Sequence, residues 1–349
     1  MTRWTAAAAK AWYAARAWPL GCNFVPSTAV NQLAMWQAET FDPATIDREL
    51  GYAAGLGMNA VRVFLHDLLW RDDAAGLMGR IETFLTLADA HGIATLPVLF
   101  DSCWNPAPVA GPQSLPRPGV HNSAWVQSPG MAALADPSTR PRLEAYVVGV
   151  VGHFANDRRD LGWDIWNEPD NGPEVATRDA AMLAAKAMLV LPLLGEAFDW
   201  ARATGPAQPL TSAIWSGDWS SLDQMTPIQR LQVERSDIVS FHNYDPADEF
   251  ARRVGWLQAF DRPILCTEYL ARPRGSTFAA IVPVAAATRV GLFSWGLVRG
   301  DTQTHLPWDS WDRPYVDRPA GMWFHDILDP DGTPYDAAEP GLLRAAAGL

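Results

Sequence analysis

The chain predicts a (β/α)8 TIM barrel, and three observations lead to it. Short apolar or β-branched runs alternate with longer helical patterns eight times, no Gly-x-Gly-x-x-Gly or phosphate loop follows the first run, and polar residues gather where the runs end. Strands separated by helices imply a parallel sheet, because each parallel crossover needs a connecting element. Eight such units close into a ring, and 349 residues is an ordinary length for one, so residues 1–349 read as a single domain.

The elements follow in order. MTRWTAAAAKAWYAARAW places an amphipathic helix within residues 1–19. Lys10 and Arg16 interrupt its alanine run before the apolar core of a signal peptide develops, so the expectation is a cytoplasmic protein. LGCNFVPS (20–27) is the first strand; its helix, DPATIDRELGYAAGLG, has Asp42 to cap it and Pro43 in the first turn. AVRVFL (60–65) precedes GLMGRIETFLTLADAHG, which stops at Gly92. ATLPVLF (94–100) opens a Pro/Gly-rich loop over 101–135, too long for a plain connector and therefore a candidate lid or pocket wall. The helix STRPRLEAYVVGVVGHFAND comes next.

LGWDIWNE (161–168) leads into a helical stretch over 178–204, and PLTSAIWS (209–216) into a weaker one near 227–235. DIVSFHNY (237–244) precedes DEFARRVGWLQAF, and PILCTEYL (263–270) precedes TFAAIVPVAAATRVG. LFSWGLV (292–298) is the eighth strand, with a shorter helical pattern expected from about 319 to 328.

Charge and composition exclude several partners. Lys plus Arg is 27 and Asp plus Glu is 39, giving 27 − 39 = −12, a field that repels nucleic-acid phosphates and anionic lipid headgroups. No stretch reads as long and apolar enough to span a bilayer, so neither nucleic acid nor membrane is an expected partner. Cys22, Cys103 and Cys266 sit among apolar neighbours as reduced thiols, with no Cys-x-x-Cys or His-rich tract for a structural zinc. The 17 tryptophans against 7 tyrosines are the compositional oddity: most should serve packing, while those near strand ends suit the apolar faces of sugar rings.

Reacting groups of such a barrel sit at the C-terminal ends of its strands. Strand two carries Arg62 and ends at His66 and Asp67; strand three ends at Asp101, Cys103 and Trp104; strand four at Asn167 and Glu168. Strand six ends His242-Asn243-Tyr244, strand seven at Glu268, and strand eight holds Trp295. One acid at a strand end is usually solvated or salt-bridged. Two acids at equivalent depth on strands four and seven face each other across the mouth, as glycoside hydrolysis requires: one protonates the leaving oxygen and the other attacks or activates water. By strand alternation Asp164 points into the barrel below Glu168 and needs a partner, for which Arg62 is the candidate.

WNEP in 166–169, HNY in 242–244 and TEY in 267–269 together resemble the retaining glycoside hydrolases of the (β/α)8 clan that includes family 5, the cellulase and mannanase family. That resemblance covers residues 20 to 300, and no single motif carries it alone. It implies Glu168 as acid/base, Glu268 as nucleophile and Asn167 as a contact to the sugar 2-hydroxyl. It also implies Arg62 holding the nucleophile region, His242 and Tyr244 on strand six, and Trp295 as a platform under the sugar. The family's histidine at the end of strand three is missing from FDSCW (100–104), leaving Asp101, Trp104 or His66 to fill its space.

The chemistry implied is double displacement without metal or cofactor, with Glu168 raised in pKa by a Trp-rich wall and the Glu268 charge. The expected substrate is a short β-linked gluco-, manno- or xylo-configured oligosaccharide or glycoside. Trp36, Trp104, Trp125, Trp215, Trp219 and Trp308 are candidates for lining subsites, and His121 and Asn122 either bind hydroxyls or hold the third loop together. Loops 101–135 and 299–320 are long enough to close one end, which favours exo action over an endo-acting glycanase. A carbohydrate-binding barrel without catalysis is the second class of reading. A metal-dependent hydrolase is disfavoured because GCNFVPS lacks a His-x-His pair.

Overall fold

In a computed structural model, which describes residues 2–172 and 179–349, eight parallel strands form the ring. They are β1 (Leu20–Asn23), β2 (Ala60–Phe64), β3 (Ala94–Asp101), β4 (Trp163–Asn167), β5 (Leu210–Thr211), β6 (Val239–His242), β7 (Ile264–Tyr269) and β8 (Gly291–Ser294). Neighbours pair in the order β5-β4-β3-β2-β1-β8-β7-β6. The remaining gap is bridged where the Ile214 N–H donates to Ser240 C=O and the His242 N–H to Ile214 C=O. β5 keeps only two residues of the expected 209–216 because the chain leaves the β4 ladder after Thr211 and regains the ring at Ile214.

The helices are α1 (Ala6–Ala14), α2 (Gln32–Trp36), α3 (Pro43–Gly55), α4 (Asp67–Ala90), α5 (Met131–Ala135), α6 (Arg140–His153), α7 (Ala180–Ala203), α8 (Pro227–Arg235), α9 (Ala247–Gln258), α10 (Phe278–Thr288) and α11 (Glu339–Ala347). Local chemistry sets their starts. Asp42 accepts from the Thr45 N–H with Pro43 in the first turn of α3, and Thr226 forms a capping box with Gln229 at α8. α1 lies within the expected 1–19, and its Ala9 and Tyr13 join Leu96, Leu265 and Phe293 in a cluster of their own.

Three expectations are corrected. No helix forms over 319–328; the last helix is α11, and Arg272 holds that intervening chain by donating to the carbonyls of His325 and Asp326 and to Glu339. α4 begins at Asp67 rather than near Gly76, with a kink at Asp73. α7 is long and apolar enough by composition to cross a bilayer, with a mean hydropathy of 1.6, although no such stretch was expected. Its residues Val190, Leu193, Leu194, Ala197, Phe198 and Ala201 are buried in the main core, so its hydropathy also serves barrel packing. The 178–204 helix expected from sequence is described from Ala180, and residue 178 lies outside the described residues.

The long third loop folds back on its own strand: Asp101 and Ser128 exchange backbone hydrogen bonds of 2.6 and 2.9 Å. Gly21 in β1 pairs with Ala60, and a Cβ built there would stand 2.0 Å from the Ala60 carbonyl oxygen and 3.3 Å from the Phe293 ring. Backbone of a central ladder cannot yield cheaply. Gly21→Ala is therefore expected to destabilise the fold by about 2–3 kcal/mol, read as a lower urea midpoint at unchanged slope.

Candidate active site

Three strands aim polar side chains at one buried guanidinium carried by a fourth. Arg62 on β2 donates from Nε to Asp164 Oδ2 (3.0 Å), from Nη1 to Asn23 Oδ1 (2.8 Å) and Glu268 Oε1 (2.9 Å), and from Nη2 to Asn167 Oδ1 (2.7 Å). Asn23 is turned toward it because its own amide donates to the carbonyls of Thr267 and Ser294 at 2.8 and 3.1 Å. Asp164 thus has the partner expected for it. Asp164 and Asn167, three residues apart, both reach Arg62, so strict alternation ends before the end of β4.

Asn167 is held from its other side, its Nδ2 donating to Asp101 Oδ1 at 2.9 Å. Asp101 in turn accepts from the Cys103 N–H and from the Trp125 indole, and burial pushes its carboxyl up. The next residue, Glu168, sits in the left-handed region with φ +44°, a conformation that non-glycine residues rarely adopt. This turn brings its carboxylate to the pocket. Oε1 lies 2.7 Å from His242 Nδ1, while Oε2 takes the Cys103 thiol at 3.2 Å and the Asn171 amide.

Glu268 presents its carboxylate from β7, with Oε1 held by Arg62 and Oε2 accepting from the Tyr244 hydroxyl at 2.7 Å. An oxygen of Glu168, an oxygen of Glu268 and a ring nitrogen of His242 all lie within 4.8 Å of one another. Burial raises Glu268, and the nearby Glu168 charge adds to this; His242, Arg62 and the Tyr244 hydrogen bond oppose it. Burial pushes the His242 ring down to about 4 and the Tyr244 phenol well up, so both are neutral near pH 7. The Glu168, His242 and Glu268 donors have a spacing a divalent ion could use. However, Arg62 and Tyr244 already engage both oxygens of Glu268.

Above these groups lies a cavity of about 170 Å³ lined by Cys103, Trp104, His121, Asn122, Trp125, Asn167, Glu168, Asn171, Trp215, Tyr244, Glu268, Trp295, Trp308 and His325. Its walls are stitched together across the third and eighth loops. The Asn122 N–H donates to Thr302 C=O (2.8 Å), the His121 N–H to Ser310 Oγ (2.9 Å) and the Tyr315 N–H to Gly119 C=O (2.8 Å). His121 Nδ1 is 2.8 Å from Leu306 C=O, and burial lowers this ring to about 4. A carbonyl only accepts, so Nδ1 carries the proton and Nε2 is left as an acceptor. Asn122 Oδ1 is buried with no hydrogen-bond partner among the described residues. His121 and Asn122 therefore both hold the loop and carry polar atoms that it does not use.

Among the aromatic residues, Trp104 stacks on Trp311 at 4.8 Å and 7°, and Trp295 packs edge-on to Phe64 and Trp125. Trp308 meets Tyr244 edge-on at 5.2 Å. Trp36 and Trp219 do not reach the cavity; their indoles donate to Phe64 and Ser216 carbonyls inside the core. His66 is a third candidate that the fold removes from the cavity. It caps α4, its Nδ1 accepting from the Leu68 N–H at 3.1 Å, and is fully buried away from the lining. Arg62, Asp101 and His242 stand behind the wall, touching the residues that line it. Asn171, His325 and the side chain of Cys103 were not anticipated at the site.

No protein-family model matches the chain, and no curated protein does. Solved structures do. A variant of GH5_18 from Streptomyces cattleya in complex with Manβ1-4GlcNAc superposes with a TM-score of 0.61 at 16% identity, covering 94% of this chain and 80% of that one. An exo-β-1,4-mannosidase from Opitutaceae bacterium strain TAV5 gives 0.61 at 19%, covering 95% of this chain and 59% of that one. An endo-1,4-β-mannanase from Rhizomucor miehei gives 0.57 at 12%, with 94% and 97% covered. The shared fold is the (β/α)8 barrel.

Removing the central cation should be severe, because two buried carboxylates lose their partner. Arg62→Met is expected to cost about 3–5 kcal/mol in chemical denaturation, with part recovered in the Arg62→Met/Asp164→Leu double variant. The sign for the histidines is equally definite: desolvation penalises the imidazolium, so their pKa values fall. Ring ¹⁵N NMR is expected to find His121 and His242 neutral at pH 6, where an ordinary histidine is largely protonated.

Proposed function

We propose that the protein is a retaining, exo-acting β-glycoside hydrolase of the family 5 type, acting on β-linked mannosides of short oligosaccharides. The observation that carries the mechanism is the approach of Glu168 and Glu268, whose nearest oxygens lie within 4.8 Å. Retaining enzymes hold their two carboxyl groups roughly 5–5.5 Å apart, whereas inverting ones need about 6.5–9.5 Å to admit a water. The approach of this pair agrees with the shorter of the two ranges, which supports the retaining reading.

In the first step a Glu268 oxygen forms a bond to the anomeric carbon while the bond to the aglycone oxygen breaks and Glu168 transfers its proton to that oxygen. In the second, Glu168 takes a proton from water, whose oxygen bonds the anomeric carbon as the glycosyl ester to Glu268 breaks. Arg62 and Tyr244 stabilise Glu268 as an anion before attack and after release. His242, neutral and 2.7 Å from Glu168, meets that carboxyl in both protonation states, donating to the anion or accepting from the acid as its tautomer changes.

The sugar and the exo mode rest on less direct support. The mannose configuration is favoured by the fold neighbours, described as mannosidase, mannanase and a complex with Manβ1-4GlcNAc. The exo mode is favoured by the hydrogen bonds that join the third and eighth loops beside the cavity, since an endo enzyme needs an open cleft.

Among aryl β-mannosides, β-glucosides and β-xylosides, the mannosides are expected to be cleaved fastest, with the β-anomer formed first by NMR. Glu268→Ala is expected to lower turnover of the aryl mannoside by about 10⁴-fold or more, and added azide should then give the α-mannosyl azide. An α-anomer as first product defeats the retaining mechanism. Oligosaccharide binding with no cleavage of any glycoside would point instead to a binding barrel.

A further inference from the structure

α7 is apolar from Ala180 to Gly195 except for one lysine, and that lysine points inward. Lys186 is buried, and its ammonium donates to three acceptors on three segments: Asn171 C=O at 2.8 Å, Ser102 C=O at 3.0 Å and Gln127 Oε1 at 3.0 Å. An ammonium has three N–H donors, so each is used. No carboxylate is among those partners, which makes this an expensive place for a cation if its only task were to attach a helix.

The three acceptors share a feature. Ser102 C=O belongs to the peptide that continues into Cys103, whose thiol meets Glu168 Oε2 at 3.2 Å. Asn171 contributes the amide on the same Oε2, and that amide also lies 3.4 Å from the Cys103 sulfur. Gln127 passes the contact on by donating to Trp104 C=O at 2.9 Å, on the other side of Cys103. Asn171 and Cys103 thus form a two-donor clamp on the Glu168 oxygen that His242 does not touch, and Lys186 ties together the two backbones that carry the clamp.

We propose that Lys186 is a positioning residue for the acid/base, acting through Asn171 and Cys103 to fix the Glu168 carboxyl against the leaving oxygen. The inference rests on the proposed role of Glu168. A fixed acid matters in proportion to how much the leaving group needs its proton. Loss of Lys186 should then slow cleavage of poor leaving groups and spare good ones, whereas a structural role would slow all substrates alike.

The test compares kcat/KM of the full-length protein and Lys186→Met on aryl β-mannosides whose leaving phenols run from 2,4-dinitrophenol to unsubstituted phenol. The expected result is a loss of about 10- to 100-fold on the phenyl mannoside with less than about threefold change on the dinitrophenyl one, and partial recovery in Lys186→Arg. Should Lys186→Met fail to fold, Cys103→Ala removes one arm of the clamp with little volume change and is expected to shift the leaving-group dependence the same way. A uniform loss across the series, or no loss, overturns the proposal while leaving Glu168 as acid/base intact. A wild-type protein that cleaves none of the series overturns the proposed function itself.

Discussion

The structure depends on one buried cation. Arg62 is inaccessible to solvent and spends its donors on β1, β4 and β7 from its own place on β2, so four of the eight strands are registered against a single guanidinium. A planar fork suits this role because its donors diverge at fixed angles, whereas a lysine would offer a point charge on a mobile stem. The same contact fixes Asn167 and Glu268 in the lining of the cavity. Stability and the geometry of the site are therefore one problem, solved by one residue.

Burial sets the electrical state of everything around that cation. Asp101, Asp164 and Glu268 are all pushed upward and His121, His242 and His325 downward, because a low-dielectric interior disfavours charge of either sign. His121 and His325 then donate from Nδ1 to the Leu306 and Leu270 carbonyls, whereas His242 faces the Glu168 carboxyl. Tryptophan walls give the cavity its apolar faces, and the third and eighth loops, joined by backbone hydrogen bonds and tied to β3 at Asp101, hold those walls.

Much of this was legible in the residues. The β-α rhythm yielded all eight strands, and the ends of strands four, six and seven supplied Asn167, Glu168, His242, Tyr244 and Glu268, which the structure brings together. The pairing of Asp164 with Arg62 followed from side-chain alternation and from the cost of an unpaired buried acid. What was not legible lies off the strands. His325 arrives from an irregular segment that looked helical, Asn171 from a turn after β4, and Lys186 from the otherwise apolar run of α7 from Ala180 to Gly195. His66, at the end of a strand like its neighbours, turns instead into the cap of α4 because the chain enters that helix at once.

The sequence by itself determined the ring of strands and singled out Glu168, Glu268 and Arg62, because short apolar runs and strand-end polarity are local properties that survive without coordinates. Only the tertiary structure decided how close the carboxylates come, which tryptophans reach the cavity and which donors hold Glu168. Those are distances between segments far apart in the chain, and they depend on the left-handed turn at Glu168, on the folding back of the third loop and on the facing of α7. No residue pattern encodes them, since each is settled only when the ring has closed.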